Sequence, residues 1–97
     1  MATYISLLKY TQKGAEAIKQ VPTRIDAGRA AAKAVGADIK QIYLVRGRYD
    51  VVIISEAPDD ETAAKLALAT GMQGNVQSET LRAFTESEFK KIVAALP

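Results

Sequence analysis

The chain contains no cysteine and no histidine among its 97 residues. Without cysteine there are no disulfides, no thiol nucleophile and no thiolate metal site. Without histidine the usual proton carrier near neutral pH is missing, together with the commonest metal and haem ligand. No metal and no cofactor are therefore expected. Catalysis would have to run on Asp, Glu, Tyr, Lys or Arg, and no catalytic residue stands out. Long apolar runs are also lacking. No segment approaches the roughly 18 consecutive apolar residues of a membrane span. The opening MATYISLLKY has no basic start of the signal-peptide kind. A cytoplasmic protein with no membrane partner is expected. An excess of one sign of charge is lacking as well: thirteen basic and eleven acidic residues leave a net +2, with no long run of either sign. Nucleic-acid recognition concentrates cations on one face, so no nucleic-acid partner is expected.

What the chain does hold is ordinary for a soluble domain, with 48% hydrophobic and 25% charged residues. Its length suits one domain over residues 1–97. TYISLLKY, residues 3 to 10, has the β-branched and aromatic content of a strand. Thr11 is a cap for a first helical stretch over 12–20, and Pro22 suits the first turn of a second. Ile18, Val21, Ile25, Gly28, Ala32 and Val35 recur at spacings of three and four, which places them on one face. Gly36 ends that helix. Residues 38–45 read as a second strand and 48–57 as a third. Asp59, Asp60 and Glu61 open an alanine-rich helix that stops at Gly71, and 76–84 read as a fourth, more polar strand. Thr85 with Glu88 forms a capping box and Phe84 with Phe89 a hydrophobic staple, starting a last helix that is expected to bury Phe89, Ile92, Val93 and Leu96.

The order β-α-β-β-α-β plus a C-terminal helix is an α+β, ferredoxin-like arrangement with a four-stranded antiparallel sheet. Two helices cover one face of such a sheet. The other face should then alternate apolar with polar residues, yet Val51, Val52, Ile53 and Ile54 are consecutive. The first strand puts Tyr4, Leu8 and Tyr10 on one side and Ile5 and Leu7 on the other. Both faces are apolar, so the economical arrangement is a homodimer, sheet against sheet. The competing arrangement folds the C-terminal helix back over the sheet of a monomer.

The stretches YISLLKYT, YLVRGRYDVVIISEAPDDETA and GNVQSETLRAFTESEF lie in order and span nearly the whole chain. Together they resemble the GYD domain family, whose naming motif falls on Gly47, Arg48, Tyr49 and Asp50. The resemblance implies a dimeric α+β barrel and an uncharacterised biochemical function. The GRYD hairpin is also similar to that of ligand-sensing domains of the leucine-responsive regulator type, but no DNA-binding segment accompanies it here.

Gly47 falls where the second and third strands reverse, a place that calls for a positive φ. Asp50 can accept hydrogen bonds from turn N–H groups. Arg46, Arg48, Tyr49 and Asp50 cluster at one end of the sheet, and with Tyr10 and Tyr43 they make a candidate ligand site. Arginine grips carboxylates and phosphates bidentately, and tyrosine offers an apolar wall with one polar handle. The expected function is a homo-oligomer binding a small molecule, anionic if the arginines hold it, in a cavity near this hairpin. The alternatives are a cofactor-free barrel enzyme of monooxygenase or isomerase type, with a tyrosine or Asp50 as proton acceptor, and an assembly protein without a small ligand.

Overall fold

A computed structural model describes residues 1–97. The elements follow in the order β1 (Ala2–Tyr10), α1 (Gln12–Glu16), a 3-10 turn (Ile18–Gln20), α2 (Val21–Ala34), β2 (Asp38–Leu44), β3 (Val51–Ala57), α3 (Asp60–Met72), β4 (Val76–Ala83) and α4 (Glu86–Ala94). The strands form one sheet in the order β2-β3-β1-β4, with every neighbouring pair antiparallel. This is the expected ferredoxin-like α+β fold.

Local chemistry explains the boundaries. Thr11 caps α1 by accepting from the Gly14 N–H at 3.1 Å. Pro22 lies in the first turn of α2, where its missing N–H costs no hydrogen bond. Gly36 follows that helix with φ 82°. Asp59 caps α3 through the Thr62 N–H at 2.8 Å. The capping box of α4 is complete: Glu88 N donates to Thr85 Oγ1 at 3.2 Å, and Thr85 N donates to Glu88 Oε1 at 2.8 Å.

Four expectations need correction. β3 begins at Val51 rather than residue 48, because residues 45–50 are spent on the reversal. The first helical stretch is broken into α1 and a 3-10 turn. α3 runs past Gly71 to Met72, and the residue with positive φ after it is Gly74, at 75°. Most consequential is α4. Phe89, Ile92, Val93 and Leu96 are 63, 45, 51 and 64% exposed. The helix is amphipathic, but within one chain its apolar side stays about half or more exposed and does not cover the sheet.

The register assigns each strand residue to a face. Ile5 sits between Ile54 and Leu81, Leu7 beside Val52, and Val52 beside Tyr43. These residues point away from the helices. Tyr4, Ser6, Leu8 and Tyr10 point toward them, with Ile42, Val51, Ile53, Ser55, Ser78 and Thr80. α2 packs on β2, α3 on β3 and β4, and neither helix packs along the other. The small core, Tyr4, Ala32, Ala37 and Ala57, lies at one end of the helix-covered face. Only six of the 97 residues are buried, so the single chain leaves most of its apolar surface uncovered.

Candidate functional site

The hairpin corner between β2 and β3 is built around Gly47 and Asp50. Val45 N donates to Asp50 O at 2.9 Å, closing the turn. Gly47 has φ 124°, a conformation that side-chain-bearing residues rarely adopt. Asp50 then ties the corner to the neighbouring strand. Its N–H donates to Leu8 O at 2.8 Å, and its carboxylate Oδ2 accepts from Tyr10 N at 2.9 Å. The acceptor role foreseen for Asp50 is present, but its donor belongs to β1 and not to the turn.

On the open side of the sheet the same corner borders a shallow cleft of about 250 Å³ between Leu7, Lys9, Arg48, Tyr49 and Glu79. The Tyr49 hydroxyl donates to Glu79 Oε2 at 2.8 Å. That bond, with burial second, raises the Tyr49 hydroxyl above the ordinary tyrosine pKa. Lys9 Nζ stands 5.9 Å from the centre of the Tyr49 ring. Two cations and one carboxylate thus frame a cleft whose tyrosine hydroxyl already has a partner.

The six residues selected from the sequence do not converge on one place. Arg48 and Tyr49 share the cleft. Tyr43 is on the same face but out on the edge strand β2 and half exposed. Tyr10 points to the helix side. Asp50 links the two strands, and Arg46 is exposed in the turn.

A larger space opens on the helix-covered face. It measures about 530 Å³ and runs between the sheet, α2 and α3. Its origin is in side-chain size. The helices turn Ala27, Gly28, Ala31, Ala63 and Ala67 toward it, and the sheet contributes Ser6, Ser55, Ser78 and Thr80 among larger aliphatics. The space is open to solvent along part of its wall, since Ala27, Ala31, Ser78 and Thr80 on its lining are exposed.

One end of this space is braced by α1. Thr11 N donates to Asn75 O at 3.0 Å, Thr11 Oγ1 to Gly74 O at 2.6 Å and Lys13 Nζ to Gln73 O at 2.8 Å. Gly14 is buried against this loop, and a Cβ there would stand 2.0 Å from Asn75 O. At the other end the Tyr4 hydroxyl donates to Asp60 Oδ1. This bond, ahead of burial, raises the pKa of Tyr4. The Arg82 guanidinium lies 5.7 Å from the Tyr4 ring and 4.4 Å from the Phe84 ring.

Sheet order, crossovers and helix placement define an α+β protein of ferredoxin-like type. Residues 4–93 match the GYD domain. The glutamine synthetase and cystathionine beta-lyase binding protein of Thermus thermophilus is 34% identical over 84 residues, covering 86% of this chain and 88% of that protein. A crystal structure of a Thermus thermophilus protein superposes with a TM-score of 0.52 at 24% identity, over 88% of this chain and 95% of the other. A hypothetical protein from Pyrococcus horikoshii superposes with a TM-score of 0.55 at 19% identity, over 89% and 93% of the two chains. The chain belongs to the GYD domain family.

Proposed function

We propose that this chain is a homodimeric protein-binding module. The observation that carries the reading is the pair of unpartnered apolar surfaces. The open sheet face presents Ile5, Leu7, Val52, Ile54 and Leu81 in one patch. α4 presents Phe89, Ile92 and Val93 at helical spacing, and Leu96 follows just after it, all four exposed. Apolar patches of this kind mark association sites. The sheet face is continuous across three antiparallel ladders, with one register shift at Ile39/Gln41 in β2, which suits a second copy related by a two-fold axis. α4 is an amphipathic helix of the sort that lies in a groove of another protein. The Thermus thermophilus relative is named for binding two enzymes, and the present chain is read as docking on an enzyme in the same way.

The test separates the two surfaces. Binding of the wild-type protein to glutamine synthetase and to cystathionine beta-lyase from its own cell is measured by biolayer interferometry. Phe89→Glu is expected to weaken enzyme binding at least tenfold while leaving subunit number unchanged. Retention of full enzyme binding by Phe89→Glu, or no binding by the wild type, would remove α4 from this role.

A second reading is favoured by the cleft at the hairpin. Lys9 and Arg48 beside Tyr49 suit a small anion, a carboxylate or phosphate. In this reading Arg48→Ala weakens binding of citrate or inorganic phosphate severalfold, measured by calorimetry. The enzyme alternative has less geometric support. The Asp50 carboxylate is held by the Tyr10 N–H and the Tyr49 hydroxyl by Glu79.

A further inference from the structure

The space between α2, α3 and the sheet lies on the opposite side of the sheet from the proposed dimer face, and the protein-binding reading makes no use of it. We propose that it is a binding site for an uncharged, elongated and mainly apolar small molecule that carries one or two hydroxyl or carbonyl groups.

Size comes first. About 530 Å³ falls within the usual range of small-molecule sites. Length follows from the strand. The space borders β1 from Tyr4 to Tyr10, six residue steps or roughly 20 Å. The walls set the polarity: Leu8, Ile25, Ile42, Ile53 and Leu66 supply apolar contact. Polar side chains are the minority and, Arg24 apart, neutral. The Ser6 and Thr80 hydroxyls pair at 3.3 Å, Ser55 and Ser78 add two more hydroxyls, and Asn75 borders one end with a buried Oδ1 that has no partner.

Charge is the sharpest discriminator. Arg24 is the single charged side chain on the lining. Its guanidinium donates to the Gln20 side-chain oxygen at 3.2 Å. Away from Arg24, a carboxylate or phosphate would lose hydration without gaining a cation. A hydroxyl or carbonyl would find partners of its own kind.

Gly28 adds an independent sign that the space is kept open. It lies in the interior of α2, where glycine lowers helix propensity. No close approach requires it, since a Cβ at this position would meet nothing within 4 Å.

The experiment uses the full chain and the neutral fluorescent probe N-phenyl-1-naphthylamine, displaced by decan-1-ol or by decanoate at pH 8. The wild type should bind the dye, and decanol should displace it at least tenfold more effectively than decanoate. Gly28→Leu and Ala67→Leu fill the space from opposite helices. Each should melt at or above the wild-type temperature and bind the dye at least tenfold more weakly. The proposal is overturned if the wild type takes up neither dye nor decanol, or if decanoate competes as well as decanol. It is equally overturned if the filled variants bind as the wild type does. Melting of both variants below the wild type would show that the space does not exist in solution, which also overturns it.

Discussion

The two faces of the sheet carry aliphatic residues in different company. The face beneath the helices carries Ser6, Ser55, Ser78 and Thr80 among its residues and is roofed by alanines and Gly28. The face with no helix over it carries Ile5, Leu7, Val52, Ile54 and Leu81. In a self-sufficient two-layer domain the large aliphatics would lie under the helices and the hydroxyls would face water. Here the uncovered side carries an aliphatic patch of its own, bordered by Lys9 and Glu79, and the covered side mixes Leu8, Ile42, Val51 and Ile53 with hydroxyls and leaves room between them. In the reading proposed above the faces have different tasks: the open face completes its burial against a second copy, and the covered face takes a ligand.

The largest expected effect breaks the open face. Ile54→Lys places an ammonium opposite Ile5 at the centre of that patch. On the order of 3 kcal/mol or more of association energy should be lost, enough to turn a stable dimer into monomers at micromolar concentration. Sedimentation velocity reads this directly. If Ile54→Lys stays dimeric, the contrast between the faces does not govern assembly.

Next is the brace at one end of the covered face. Gly14→Ala drives a Cβ to 2.0 Å from Asn75 O, so backbone must move on α1 or on the loop. A loss of about 1–3 kcal/mol is expected, checked by urea unfolding. A neutral outcome would mean that this wall of the cavity is soft. A smaller effect comes from the α4 cap. Thr85→Ala removes both the hydroxyl acceptor and its share of the capping box. About 1 kcal/mol of helix stability should disappear, visible as lost helical circular dichroism.

Acid should act on the same caps. Thr85 N–H donation to Glu88 and Thr62 N–H donation to Asp59 hold both carboxyls below their ordinary pKa values. The folded chain therefore binds fewer protons than the unfolded chain as these groups titrate. Their contribution is fully present above the unfolded pKa values, about 4. It fades as pH falls through the depressed folded values. Glu88→Gln should flatten that part of the stability-against-pH curve below the unfolded carboxyl pKa of about 4. The smallest effect has the opposite sign. Ser55→Val on the covered face exchanges a hydroxyl for apolar volume in open space and should change stability by less than about 1 kcal/mol. A comparable polar change on the open face, Ile54→Ser, should cost more.

The apolar character of the open face was legible in the sequence because strand side chains alternate with period two. Tyr4, Leu8 and Tyr10 against Ile5 and Leu7 is a local pattern, and the run Val51 to Ile54 announces two apolar faces. Gly47 and the Thr85–Glu88 box were legible for the same reason, since each acts within a few residues of itself. Long-range facts were not. Gly14 looks like any helix glycine until Asn75, sixty-one positions away, is placed against it. The partner of the Asp50 carboxylate is on β1, forty positions earlier. The cavity depends on where α2 and α3 come to rest, which small side chains permit but do not dictate. The candidate site divided for a related reason. Tyr10, Tyr43 and Tyr49 all lie in or near the hairpin-end strands, yet alternation sends Tyr10 through to the other face. An amphipathic α4 likewise signals a need for apolar contact without saying whether its own chain supplies it, and the exposure of Phe89 shows that it does not.

The measurement that tests the central claim most directly is sedimentation velocity on the wild type and on Ile54→Lys at matched micromolar concentrations. The account predicts that the wild type sediments as a dimer, or an even multiple, of the 10.4 kDa chain, and that Ile54→Lys sediments as a folded monomer. A wild type that remains monomeric while fully folded would contradict it, because the apolar face of the sheet would then be at rest in water.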